Sequence, residues 1–295
     1  MDFLRLGIHT SIAGSLEQAV WRATALGANT FQIFTGSPRL WPRRSLDPDE
    51  VKRFRAARER AALWPLAVHD NYLINLAAAD PSLRARSVAA LRCEIRHARR
   101  LGAEYLVIHP GSYRGSTLER GLESVAASLI RATRGLQPDG LVLLLENTAG
   151  AGNSLGARFE ELAAIRQMAA GGTDFEIGFC LDTAHCLAAG YDVASAAGLR
   201  QTLEQADRIL GLDRVKLIHA NDSKAPLGSR RDRHEHIGRG AIGPDGFRRI
   251  LNHPRLRRLP FILETPRSSD ADDRRNLQTL KDLCRRRTTT RSNWK

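Results

Sequence analysis

Eight short apolar runs alternate along the chain with longer amphipathic stretches, and no other feature restricts the fold as much. Runs this short must find strand partners for their backbone groups. The long stretches between them leave crossover connections, which pair strands in parallel. Strands are expected at about Leu4 to His9, Thr30 to Phe34, Leu66 to His69, Tyr105 to His109, Leu141 to Glu146, Ile177 to Asp182, Val215 to Ala220 and Pro260 to Glu264. Helical patterns separate them, among them Leu16 to Leu26, Asp49 to Leu63, Ser82 to Leu101, Leu118 to Arg134, Arg158 to Met168, Ser195 to Leu210 and Gly246 to Leu251. Leu-Gly pairs at 26–27 and 101–102 supply helix ends. Eight strands with eight crossovers predict an α/β fold, a (β/α)8 TIM barrel whose functional site lies at the C-terminal rim of the strands.

The 295 residues suffice for one such barrel, and no Pro/Gly/Ser-rich linker divides them. Residues 1–284 therefore read as one domain, and the basic, aperiodic tail at 285–295 is expected to be disordered. Cys93, Cys180, Cys186 and Cys284 form no C-x-x-C pair, which argues against a disulfide framework and against a thiolate zinc site. No basic leader precedes a long apolar segment, and no run reaches the roughly 18 apolar residues of a membrane helix, so a soluble cytoplasmic chain without a membrane partner is expected. The formal charge of +13 favours a polyanionic partner such as nucleic acid, with the arginine usage of a GC-rich genome as the bland alternative.

The residues that end the strands carry the chemistry. His9, His69, His109, Glu146, Asp182, His219 and Glu264 close seven of the eight runs, and a parallel barrel gathers all strand ends on one rim. Singly, each has a structural reading as a satisfied polar residue or a helix cap. Together, imidazoles and carboxylates converging on one mouth are electrostatically costly unless cations lie between them. His185 follows Asp182 by three residues, so this stretch can present two diverging ligands to two ions. The longest segment after a strand, Ser223 to Gly243, adds Asp232 and His234, which with His185 would make a three-ligand site; His236 competes but leads into a Gly-bounded turn. A donor set of imidazole and carboxylate without thiolate suits Zn²⁺ or Mn²⁺.

These residues sit in stretches that resemble the endonuclease IV family of abasic-site DNA repair endonucleases. The matching stretches are Gly7-Ile-His9-Thr-Ser-Ile-Ala-Gly14, Phe34-Thr-Gly-Ser-Pro-Arg39-Leu-Trp41, Val68-His69-Asp-Asn-Tyr72-Leu73-Ile-Asn75-Leu and Ile108-His109-Pro-Gly111-Ser. They continue through Leu145-Glu146-Asn-Thr-Ala-Gly150, Leu181-Asp182-Thr-Ala-His185, His219-Ala-Asn-Asp222-Ser-Lys224, Gly228-Ser-Arg-Arg-Asp232-Arg-His234 and Leu263-Glu264-Thr-Pro266. The resemblance implies hydrolysis of the phosphodiester 5′ to abasic sites in duplex DNA, leaving a 3′-hydroxyl and a 5′-deoxyribose phosphate, with trimming of blocked 3′ ends and action as a monomer.

It also implies a trinuclear Zn²⁺ centre, with Mn²⁺ as the alternative occupant. His69, His109 and Glu146 would hold the first ion, Glu146, Asp182, His219 and Glu264 the second, and His185, Asp232 and His234 the third. Glu146 and Glu264 would be the catalytic carboxylates, with His9, Asn147 and Asp222 behind or beside the ligands. Arg39, Tyr72 and Leu73 would enter the damaged duplex, where an aromatic ring, an apolar wedge and a guanidinium can fill the gap left by a missing base. Without the resemblance, core packing is the favoured reading of Tyr72 and Leu73. The chain departs from the family pattern at Tyr113 and Arg114, where a second histidine is usual, and at Ser15, where a glycine is usual. A sugar isomerase or epimerase on a related barrel would share the strand-end ligands but has no use for Asp232 and His234 or for the three wedges. A DNA-binding module that only marks damage fits the charge but leaves the ligand cluster unexplained.

Overall fold

The structure is a computed structural model that describes residues 4–42 and 45–284. In chain order it comprises β1 (Arg5–His9), α1 (Leu16–Ala25), β2 (Thr30–Ile33), α2 (Pro48–Arg60), β3 (Leu66–His69), α3 (Pro81–Leu101), β4 (Tyr105–Ile108), α4 (Leu118–Thr133), β5 (Val142–Glu146) and α5 (Phe159–Ala169). Then follow β6 (Ile177–Asp182), α6 (Thr183–Ala189), α7 (Ala196–Ile209), β7 (Val215–His219), β8 (Asp222–Ser223), β9 (His234–Glu235), α8 (Gly243–Asn252), β10 (Pro260–Leu263) and α9 (Asp270–Leu283). Eight strands close into a parallel barrel in the order β1-β10-β7-β6-β5-β4-β3-β2, while β8 and β9 form a separate antiparallel pair. The expected tail at 285–295 lies outside the described residues. Among those described, no helix is long and apolar enough to cross a membrane.

Strand periodicity places the site. Ala67, Val107, Leu144, Cys180, Leu217 and Ile262 form a small buried cluster of their own inside the barrel, apart from the larger core that packs strands against helices. The residue two positions further along each of those strands faces the same way. Those residues are His69, His109, Glu146, Asp182, His219 and Glu264. An apolar plug thus seals the barrel beneath these strand-end side chains, and they stand on it. β1 approaches β2 closely through Gly7, where an added Cβ would collide with the Thr30 carbonyl.

The expected helices are present with shifted ends. α2 stops at Arg60 rather than Leu63, because the chain turns at Ala62 with a left-handed φ of 50° and the Arg58 guanidinium donates to the Leu63 carbonyl at 2.9 Å. Two helices were not among the expected ones. α6 is seven residues long and buried from Thr183 to Ala188, so it has no polar face to give it a period. α9 opens on five charged residues within its first six, and its apolar positions Leu277, Leu280 and Leu283 fall in its second half. The segment from Ser223 to Gly243 is less irregular than its sequence suggests, since β8 and β9 pair within it.

One buried acid has no part in the rim. Glu94 on α3 accepts from the Thr35 hydroxyl at 2.6 Å, and burial pushes its carboxyl up to about 7. The folded chain therefore keeps this proton at pH values where the unfolded chain, with an ordinary carboxyl near 4.5, has released it. Stability should fall as pH rises through that window. Glu94→Gln keeps the acceptor for Thr35 and removes the ionisable group. At pH 8 it is expected to raise stability by up to about 3 kcal/mol, at roughly 1.4 kcal/mol per pKa unit, with little change at pH 4. Urea unfolding at the two pH values checks this, and a less stable variant at pH 8 would show that the ionised carboxylate supports the fold.

Candidate metal centre

Three groups of ligand-type side chains adjoin at the C-terminal rim. His69, His109 and Glu146 bring ligand atoms within 4.8 Å of one another, as do Glu146, Asp182, His219 and Glu264, and as do Asp182, His185 and His234. Asp232 closes the last group, with Oδ2 at 3.3 Å from His185 Nε2 and Oδ1 at 3.4 Å from His234 Nε2. Glu146 belongs to the first two groups and Asp182 to the last two, so two buried carboxylates join all three. A fourth grouping would add the Cys180 thiol to Glu146 and His219, but burial and the neighbouring carboxylates raise that thiol well above its ordinary range and keep it protonated.

Asp182 and His185 diverge less than their spacing implies. Asp182 ends β6 and caps α6, its Oδ1 accepting from the His185 backbone N–H at 2.7 Å, while His185 sits in the first helical turn. The structural and functional readings of Asp182 therefore hold together. One oxygen caps the helix, and the other accepts from Asn221 Nδ2 at 2.5 Å and lies 3.7 Å from His234 Nε2. His236, the competing candidate, takes no part in any group; its Nδ1 meets Asn276 Nδ2 at 3.0 Å, toward α9.

Backbone and amide partners orient the rings. His69 Nδ1 donates to the Asp70 carbonyl at 2.7 Å, His185 Nδ1 to the Asn147 carbonyl at 2.9 Å and His234 Nδ1 to the Glu264 carbonyl at 3.0 Å, which turns each Nε2 toward its group. His219 is held the other way, with Nε2 donating to Gln32 Oε1 at 2.9 Å and Nδ1 facing Glu146 and Glu264. Fixing one ring nitrogen on an outer partner is how metal-binding imidazoles are oriented. The Nε2 atoms of His185 and His234 are buried and make no hydrogen bond. Two orphaned imidazole nitrogens facing one carboxylate are a poor hydrogen-bonding arrangement and a good cation site, so the residues fit a divalent metal.

The electrostatics agree. Burial works against ionising Glu146, yet His219, His109 and His185 hold its carboxyl well below the usual range. Burial likewise opposes ionising Glu264, which is held low chiefly by His219 and His9. In return, burial would lower His69 and His185, but Asp70 and Glu146 raise the first well above 6.5, and Asp182, Asp232 and Glu146 raise the second in the same way. Burial dominates at His9, whose pKa falls. The carboxylates thus draw positive charge onto the neighbouring imidazoles, as they would onto cations.

Around the ligands lies a cavity of about 290 Å³, bordered by His9, Phe34, Tyr72, Thr265, Arg267 and Asp273. Tyr72 is 68% exposed and stands edge-on to Phe34 at 5.5 Å, while Ile74 and Leu76 carry the core packing that the stretch would otherwise suggest for it. The Tyr72 N–H donates to the Pro38 carbonyl at 3.0 Å and Asn71 Nδ2 to the Leu40 carbonyl at 3.2 Å, so the loops after β2 and β3 form one ridge. Arg39 is exposed on that ridge and Leu73 is half-buried. His9 lies 3.4 Å from Glu264 Oε1, and Asn147 accepts the Asp182 N–H through Oδ1 at 2.7 Å. Asp222 reaches no ligand side chain; its carboxylate turns into the loop that follows β9.

Sequence reasoning missed four residues here. Gln32, fully buried, bridges His219, His9 and Glu264, the last with Nε2 to Oε1 at 2.6 Å. Its signal was a polar side chain inside an apolar strand run. Asn221 holds Asp182 Oδ2 and accepts the Glu264 N–H at 2.8 Å. Leu40, 66% exposed, adds an apolar tip to the ridge. Arg267 faces the cavity while paired with Asp273 at 3.1 Å and with Asp270.

Comparison with known proteins points in one direction. A family profile described as a xylose isomerase-like TIM barrel matches residues 20–286. A probable endonuclease 4 from Solibacter usitatus (strain Ellin6076) is 58% identical over 280 residues, spanning 95% of this chain and 97% of the relative. Another probable endonuclease 4, from Methanoculleus marisnigri (strain ATCC 35101 / DSM 1498 / JR1), is 44% identical over 94% of this chain and 98% of its own length. Among solved structures, endonuclease IV from Thermus thermophilus superimposes with a TM-score of 0.83 at 45% identity, covering 95% of this chain and 98% of that one. A D-tagatose 3-epimerase-like protein matches 95% of this chain and 96% of its own with a TM-score of 0.69 but 19% identity, a likeness of fold alone.

Proposed function

Because this chain belongs to the endonuclease IV family, we propose that it is a metal-dependent DNA repair endonuclease that hydrolyses the phosphodiester 5′ to abasic sites in duplex DNA. The products are a 3′-hydroxyl and a 5′-deoxyribose phosphate, and the same centre trims blocked 3′ ends. The observation that carries this reading is the set of three adjoining ligand groups joined through Glu146 and Asp182, beneath a ridge with exposed aromatic and apolar tips.

In this reading His69, His109 and Glu146 hold one Zn²⁺, Glu146, Asp182, His219 and Glu264 a second, and His185, Asp232 and His234 a third, with Mn²⁺ as the alternative occupant. Bound divalent ions would supply charge neutralisation for a phosphate and lower the pKa of water toward neutrality. The chain supplies the rest. Glu146 and Glu264 set the geometry of the centre, Gln32 and Asn221 hold Glu264 and Asp182 in register, and the apolar plug keeps water from entering beneath. Arg267 offers a guanidinium to a phosphate at the edge of the cavity. One chain contributes every group named, so a monomer suffices.

In this reading Arg39, Tyr72 and Leu73 enter the gap beside a missing base, and the exposed Leu40 adds a further apolar tip to the same ridge. Tyr72→Ala removes an exposed ring and should leave stability nearly unchanged. It is expected to raise KM for an abasic duplex about 10- to 100-fold, in keeping with roughly 1–3 kcal/mol for an aromatic stacked on a base. Steady-state incision compared with unfolding midpoints checks the split, and a large stability loss with unchanged KM would return Tyr72 to a packing role.

The function is tested by incubating the chain with an end-labelled duplex carrying one abasic analogue, beside an intact duplex. Incision 5′ to the lesion with a 3′-hydroxyl product is expected, and the intact duplex should survive. The likeness of fold to a D-tagatose 3-epimerase-like protein motivates a second arm with free ketoses. Epimerisation without incision, by a sample shown to hold its metals, would replace this reading.

A further inference from the structure

Asp222 lies outside the ligand groups, yet its carboxylate is the most heavily engaged in the loop after β7. It is fully buried. Oδ1 accepts from the backbone N–H of Ser223 at 2.9 Å and of Ile242 at 3.0 Å, and Oδ2 accepts from Gly238 at 2.9 Å, Gly240 at 2.9 Å and Gly243 at 3.3 Å. No lysine or arginine among the described residues pairs with it. Backbone dipoles alone satisfy the charge, as in an anion-binding nest whose anion belongs to the protein.

What this nest holds in place is the path to His234. Asp222 and Ser223 are β8, and they pair with Glu235 and His234 of β9 in that order. The turn that grips Asp222 begins three residues beyond Glu235 and continues into α8, and the Ala241 N–H donates to the Ser223 carbonyl at 2.8 Å. His234 is thus held by its own pairing with Ser223 of β8 and, beyond Glu235, by the turn closed on Asp222. The six strand-end ligands need no such device, because the barrel fixes them. The third group alone draws two ligands from a loop, and one of them, Asp232, has a side chain that is 52% exposed.

We propose that Asp222 is the positioning residue of the third metal site, and that its nest sets the affinity of that site independently of the other two. The inference rests on the trinuclear reading above. Asn at this position could not accept at both oxygens; its amide would face backbone donors with a donor of its own. Gly240 approaches from the other side, where an added Cβ would collide with the Ser223 carbonyl and with Asp222 Oδ1, so Gly240→Ala should open the same nest while leaving the carboxylate in place.

The test is competition of the Zn²⁺-loaded chain against a chromophoric chelator, with bound metal counted by native mass spectrometry, for the wild type, Asp222→Asn and Gly240→Ala. The wild type is expected to hold three ions. Both variants should keep two at wild-type affinity and bind the third about 10- to 100-fold more weakly, the range for outer-sphere partners of metal ligands. Excess Zn²⁺ should restore incision in both, which a variant with only a loosened fold would not show. Three ions at wild-type affinity in both variants would overturn the proposal, and so would equal weakening of all three. A wild type that never holds more than two ions would overturn the trinuclear reading and the proposal with it, an outcome distinct from the first because it appears before any substitution is made.

Discussion

Glu146→Gln is expected to lower turnover on an abasic duplex by on the order of 10²–10³-fold or more, with the barrel intact and metal content reduced. The scale follows from losing one preorganised charge at a reacting phosphate, comparable to removing one oxyanion donor. Glu146 is the carboxylate that the imidazoles share. Its Oε1 lies 2.9 Å from His219 Nδ1 and 3.4 Å from His185 Nδ1, and its Oε2 lies 3.2 Å from His69 Nε2 and 3.1 Å from His109 Nε2. An amide of the same size keeps one oxygen and turns an NH₂ toward ring nitrogens that need an acceptor or a cation, so two adjoining sites are weakened at once. The fold should survive because Leu144, two residues earlier, plugs the barrel with its neighbours, and the outer core does not include Glu146. Metal analysis, circular dichroism and single-turnover incision of the same preparation check the three parts. Near-normal turnover with full metal content would remove Glu146 from the chemistry.

The strands and the ligand-type side chains that end them were legible for one shared reason. A barrel strand buried on both faces reads as an apolar run, and a histidine or carboxylate ending such a run has no apolar explanation, so the strand boundary and the ligand announce each other. Observed strands end within one residue of the expected positions. Legibility fails where that contrast is absent. α6 is buried on all sides and so shows no period, although it carries His185. Gln32 stood out only as a polar side chain inside an apolar strand run, and Asn221 is a neutral amide just past a strand that nothing in a single sequence separates from one that faces water. For Asp222 the resemblance implies only a place behind or beside the ligands, whereas its contacts depend on the turn that brings Gly238, Gly240 and Gly243 back onto it. Those contacts depend on how a loop closes, which periodicity does not encode. Tyr72 was misleading for a related reason: an aromatic beside Leu73-Ile74-Asn75-Leu76 favours core packing until Ile74 and Leu76 are seen to fill the core.

Stripping the chain of metal is expected to bring incision of an abasic duplex to background, and Zn²⁺ or Mn²⁺ should restore it, with a pH dependence whose sign follows from the rim. Without cations, the carboxylates Glu146, Asp182, Asp232 and Glu264 meet an incoming phosphate as like charges, so both binding and turnover suffer. The neighbouring imidazoles offset part of that charge by taking up protons. Against the effect of burial, His69 and His185 are raised well above 6.5 by the carboxylates around them, and His219 is raised as well, so at pH 7 the metal-free chain carries protons on rings that must be neutral to bind a cation. Metal uptake therefore releases protons, and apparent metal affinity should rise with pH through the neutral range, about tenfold per unit for each proton displaced. Glu146 and Glu264 contribute no opposing trend there, because both are held below the ordinary carboxylate range and stay ionised. Titration of the metal-free chain with Zn²⁺ in weak buffer at pH 7 should release more than one proton per chain, and calorimetry in buffers of different ionisation enthalpy should give the same count. Proton-neutral uptake would mean that the imidazoles are already deprotonated before the cation arrives. Incision that persists in a sample shown to contain no metal would end the metal-dependent reading of the rim altogether.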